Sequence, residues 1–152
     1  MKLLVERHAD LELSDARGIA PLRAAAQYGH HGTAHALLQA GARVDHADLQ
    51  GRTPLRAAVQ FGHYATAELL LNNSANIVQP DTRGGTPLHA AARFRHAAAA
   101  RLLLKQGAAV DVQDAKGLTP LHVSCVFGQL GVAAVLMVQG RAHAECRDLK
   151  GR

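Results

Sequence analysis

The side chains in this sequence best suited to chemistry are its ten histidines and two cysteines. His31 and His35 stand four apart, a spacing that lets two imidazoles on one helix face share a zinc ion. No third ligand follows at a suitable distance along the chain, so no metal is expected. Cys125 reads as a small buried residue and Cys146 as a turn residue, with nothing to pair them. Two thiols without a disulfide framework fit a reducing, intracellular compartment. The sequence carries no G-x-S-x-G, no HExxH and no phosphate-cradling P-loop. Paired carboxylates do not occur outside positions that recur along the chain. The expectation is a protein without catalytic residues or cofactor.

Most of the histidines belong to a pattern that repeats. Residues 15–47, 48–80, 81–113 and 114–146 are four copies of one 33-residue unit. Their first halves read DARGIAPLRAAAQYGH, DLQGRTPLRAAVQFGH, DTRGGTPLHAAARFRH and DAKGLTPLHVSCVFGQ. Their second halves carry HALLQAGARVDHA, ELLLNNSANIVQP, RLLLKQGAAVDVQ and AVLMVQGRAHAEC. Thr53, Thr86 and Thr119 precede a proline, which places an N-cap before a helix starting at Pro54, Pro87 and Pro120. Ala20 stands there in the first copy, at a capping cost of about 1 kcal/mol. Gly29, Gly62 and Gly128 supply the left-handed residue that ends this helix. Arg95 takes that place in the third copy, a strain of roughly 1–2 kcal/mol. A second helix buries Leu37/Leu38, Leu70/Leu71, Leu103/Leu104 and Leu136/Met137. It stops at Gly41, Gly107 and Gly140, with Ser74 as the exception. Asp-x-x-Gly turns at Asp15, Asp48, Asp81 and Asp114 join the copies.

Each pair of helices is too small to bury its apolar face alone, so the pairs must stack. Alanine runs such as Ala24–Ala26 and Ala97–Ala100 permit close approach, and explain a 48% hydrophobic chain with only 3% aromatics. That hydrophobic fraction excludes a disordered chain. No apolar run nears the ~20 residues needed to span a bilayer, and no secretory signal is visible. Residues 1–14 align with the end of a copy, with His8 in the place of Gly41. Residues 147–152 begin another, after one extra residue near Cys146. Neither end carries the polar cap of a terminal repeat, so the chain reads as an excerpt of a longer array.

The period and the TPLR/TPLH core resemble the ankyrin repeat over the whole chain. The resemblance implies an all-α solenoid of stacked helix-turn-helix pairs with short turn or β-hairpin fingers, as one domain over 1–152. It implies protein–protein interaction, not catalysis. It also implies that His89 and His122 bond neighbouring backbone, and that the second, third, fifth, thirteenth, fourteenth and last positions of each copy face partners.

Two patterns stand in those columns. The fourteenth position holds Tyr28, Phe61, Phe94 and Phe127, four of the five aromatics. These rings either anchor a partner on the concave face or pack over the following repeat. The variable columns also hold Arg17, Arg52, Arg83, Arg93 and Lys116, and no acid; Arg23 and Arg56 add charge where the family has His. With a net charge of +5, this face calls for a protein partner with an acidic segment. Four lysines against thirteen arginines make a thin phosphate footprint, and no DNA- or RNA-reading motif occurs, so nucleic acid is not expected. A monomer is expected. Other readings of such a module are a substrate receptor or regulatory part of a larger protein (a ubiquitin-ligase adaptor or bacterial effector), or a structural spacer.

Overall fold

The computed structural model describes residues 10–141. His8, Cys146 and the start of a further copy at 147–152 lie outside them. The chain forms two compact units, one up to Asn76 and one from Ile77. The first contains α1 (Pro21–Gln27), α2 (His31–Gln39), α3 (Pro54–Gln60) and α4 (Tyr64–Asn72). The second contains α5 (Pro87–Arg93), α6 (Ala97–Lys105), α7 (Pro120–Val126) and α8 (Leu130–Val138). In each unit a seven-residue and a nine-residue helix pair up, and a second such pair packs beside the first.

The caps form as the Thr-Pro pairs predict. Thr53 Oγ1 accepts the Arg56 N–H at 3.2 Å. Thr86 and Thr119 enter reciprocal arrangements in which their own N–H groups donate to His89 Nδ1 and His122 Nδ1, each at 3.2 Å. Ala20 has no side-chain cap. Each short helix then ends in the same way. The N–H three residues beyond the last helical one returns to a carbonyl in the final turn: His30 to Ala25, His63 to Ala58, His96 to Ala91, Gln129 to Ser124. This closure needs a left-handed residue in between. Gly29, Gly62 and Gly128 supply it at φ 69°, 76° and 67°, and Arg95 adopts it at φ 68°.

The core is aliphatic. Leu22, Leu37, Leu55 and Leu70 fill the first unit among buried alanines, and Leu88, Leu103, Leu121 and Leu136 the second. No ring joins them: all five aromatics are exposed. Close helix approach replaces ring area, since an alanine face lets two backbones come together and still exclude water.

Four expectations are corrected in detail. Among the described residues the fingers are turns and form no strand; one backbone bond joins neighbouring fingers, from Leu49 N to Arg17 O in the first unit and from Ala115 N to Arg83 O in the second. Cys125 is exposed, not buried. Ala26 and Ala92, its equivalents, are covered because α3 packs on α1 and α7 on α5, whereas no described helix follows α8. Met137 is likewise exposed, unlike Leu38, Leu71 and Leu104. In the fourth copy the left-handed residue is Arg141, at φ 51°, and Gly140 serves a different need. A Cβ there would lie 2.7 Å from Leu136 O and from Val110 Cγ2, so glycine is required by close approach.

Ala20→Thr should stabilise the protein by about 1 kcal/mol, raising Tm by about 2–4 °C in a chain of this size. Thr53 already combines that cap with arginine at the third helical position, so the site fits. Thermal and urea unfolding read the change; no gain would mean that the missing cap costs nothing.

Candidate functional site

The turn that carries each finger is built by one carboxylate oxygen. Asp15 Oδ1 accepts the N–H groups of Arg17 and Ile19 at 2.8 and 2.9 Å. Asp48 does the same for Gln50 and Arg52, Asp81 for Arg83 and Gly85, and Asp114 for Lys116 and Leu118. These aspartates are therefore structural. Backbone hydrogen bonding from Ile19 first, and the nearby Arg17 charge, hold the Asp15 carboxyl below the usual range. The turns place Arg17, Arg83 and Lys116 at the finger tips, all exposed.

The aromatic column is held just as regularly. Tyr28, Phe61, Phe94 and Phe127 are the C-cap residues of the four short helices. Their N–H groups bond the carbonyls of Ala24, Ala57, Ala90 and Val123 at 3.0–3.1 Å. Identical backbone frames give each ring the same station on its helix pair. The rings are 64%, 47%, 38% and 46% exposed, which leaves their outer faces open to a partner. Tyr28 stacks on His30 with ring centroids 6.1 Å apart. In the second unit Arg93 lies over two rings, its guanidinium carbon 5.6 Å from the Phe94 centroid and 4.9 Å from that of Phe127.

The arginines divide by environment. Arg23 leaves the candidate set, because its side chain is 3% exposed and its Nη2 lies 2.9 Å from Asp48 Oδ2. Arg52 reaches the same oxygen at 2.8 Å from the surface side and is half-buried. Arg23 Nε also donates to Arg52 O at 3.2 Å, 29 residues on. His89 Nε2 donates to Leu118 O over the same separation at 2.9 Å. The first-copy arginine thus makes the tie that histidine makes in the third copy, and adds a buried ion pair. Burial pushes the Arg23 guanidinium pKa down, with Asp48 opposing. Burial also penalises the Asp48 carboxylate, but the Arg52 hydrogen bonds and the Arg23 charge outweigh it and hold its pKa below the usual range. Arg56 is half-buried, with Nη1 donating to Gln60 Oε1 at 3.0 Å.

The remaining polar columns link consecutive copies. Glu12 Oε1 accepts the Arg43 N–H at 2.7 Å, and Asp45 Oδ1 the Asn76 N–H at 2.9 Å. His63 Nε2 donates to Gln27 O at 3.0 Å, and Gln129 Nε2 to Arg93 O at 3.3 Å. His63 and His89 thus tie neighbouring copies through backbone carbonyls, and His122 completes its own helix cap. Among the described residues no group of three or more His, Cys, Asp or Glu could hold a metal ion. Arg95 joins the candidate set. Its departure from the glycine column was a signal of strain in the sequence, and the structure shows it exposed beside Phe94.

A family model described as ankyrin repeats (3 copies) matches residues 1–81 and 73–148. No curated protein matches the chain. No described helix is long and apolar enough to cross a membrane.

Asp48→Asn should destabilise the protein by about 3 kcal/mol at neutral pH, since it leaves the Arg23 charge buried without its carboxylate. Because folding lowers the Asp48 pKa, the ionised form contributes stability above the unfolded value near pH 4. That contribution is lost as pH falls through the lower folded value. Urea unfolding across this acid range should therefore bring wild type and variant together; a gap that persists at the acid end would assign the loss to something other than charge.

Proposed function

Because the chain belongs to the ankyrin-repeat family, whose members are protein–protein interaction modules, we propose that it binds a partner protein through an acidic segment. In each unit the docking residues lie at the C-caps of the short helices and at the finger tips. Tyr28, Phe61, Phe94 and Phe127 give apolar contact, and Arg17, Arg52, Arg83, Arg93 and Lys116 give charge. One observation carries the reading: four rings, in a chain otherwise short of them, stand exposed at one repeated station, and Arg93 lies over two of them. Exposed aromatic faces are favoured binding anchors.

The physical division of labour is clear. Ring faces gain from leaving water, and arginine forks fix the orientation of carboxylates by paired N–H···O bonds. Charge at the rim speeds encounter and makes affinity depend on salt.

Affinity capture with the full chain should recover a partner that elutes with rising salt. The Phe61→Ala/Phe94→Ala variant should fold normally by circular dichroism and lose about tenfold or more in affinity per ring. Unchanged capture by that variant would remove the rings from the interface, and salt-independent binding would remove the charges.

A further inference from the structure

The positive charge of the protein is unevenly placed. Residues 10–76 hold five arginines and six carboxylates; residues 77–141 hold seven Lys and Arg and three Asp. In the first unit three of the cations pair with carboxylates of their own unit: Arg23 and Arg52 with the buried Asp48, and the exposed Arg17 with Asp15 at 3.4 Å. In the second, Asp81 and Asp114 are committed to their turns. Among the described residues the guanidinium groups of Arg93 and Arg95 carry neither ion pair nor hydrogen bond.

Those two arginines flank Phe94 on a tightly fixed tip. The Arg93 carbonyl accepts from Gln129 Nε2, and the His96 N–H closes back on Ala91 O. Arg93 is exposed and lies over the Phe94 and Phe127 rings, which support its guanidinium. Arg95 occupies the left-handed position that glycine fills in the other three copies. An L side chain there is strained, and strain of this kind persists at sites where the side chain is used.

We propose that Arg93–Phe94–Arg95, with Phe127 beside it, is a carboxylate-reading subsite. It takes a Glu or Asp side chain, with its apolar neighbour, from an extended acidic protein segment. This rests on the reading of the function given above and narrows it to one unit. The carboxylate bridges the guanidinium groups of Arg93 and Arg95, while the adjoining apolar residue covers Phe94. The stacked arginine is preorganised, so little side-chain freedom is lost on binding. A nucleic-acid backbone would need a row of cations along its path; here two cations border a pair of rings.

Fluorescence anisotropy on the full chain at low salt tests this with a labelled peptide of alternating Glu and Leu, against its Gln-Leu counterpart. Wild type should prefer the Glu-Leu peptide by at least tenfold. Arg93→Lys keeps the charge but loses the planar stack, and should lose most of that preference. Arg95→Gly should raise Tm by about 2–4 °C while weakening binding about threefold or more, a combination that a purely structural arginine would not give. Arg43→Gln, an equal charge change in the first unit, should leave binding within about twofold. Full preference retained by both Arg93→Lys and Arg95→Gly would overturn the subsite alone. A wild type that does not distinguish the two peptides would overturn the acidic-partner reading as well. Equal loss in Arg43→Gln would reduce the effect to net charge. Competition by a DNA duplex as strong as by the peptide would assign the surface to nucleic acid.

Discussion

A seven-residue helix packed on a nine-residue helix cannot bury an apolar face by itself, so each pair depends on a polar tie that seats the next. In this chain the tie is a side-chain N–H that reaches a carbonyl 29 residues on, from Arg23 to Arg52 in one unit and from His89 to Leu118 in the other. That bond fixes the spacing at which alanine and leucine faces meet. It also brings a second donor to a carbonyl just before the next short helix, one that already accepts the N–H of the turn aspartate, Asp48 or Asp114. Glu12 and Asp45 repeat the principle from the loop side, each accepting an N–H 31 residues ahead. The regular period of the sequence is the trace of these bonds.

The first copy shows how the tie can be remade. Arginine in place of histidine keeps the carbonyl contact but brings a charge into a dry position. Asp48, already needed for its own turn, neutralises it with one oxygen while the other holds the turn. Such a pair is a poor source of net stability, since desolvation offsets the attraction. Its consequence is a matter of allocation: Arg23, buried on Asp48, is not available to a partner. The free cations of the second unit stand out against that background.

Exposure of the aromatic column follows from the same economy of form. A C-cap residue sits where the chain leaves the helix, so its side chain projects past the alanine faces that make the core. Each ring is covered in part and open in part, and Arg93 lies over two of them. Arg95, the one non-glycine at the left-handed end of a described short helix, lies next to Phe94 in the chain.

Much of this was legible in the residues. The Thr-Pro starts, the left-handed ends at Gly29, Gly62, Gly128 and Arg95, the Asp turns and the leucine core all depend on contacts within a few positions or on a strict period, and local rules describe both. The column of four rings was equally visible, because it is a matter of register. What the sequence left open was which side of each element meets water. Arg23 and Arg17 are the same residue type, yet one is buried on Asp48 and the other exposed. Cys125 occupies a core column and is exposed, because no described helix covers α7 on that side. Gly140 keeps its glycine for a close approach by Val110, thirty residues away in the chain. Burial, charge pairing and close approach are set by partners distant in sequence, so only the tertiary structure could decide them.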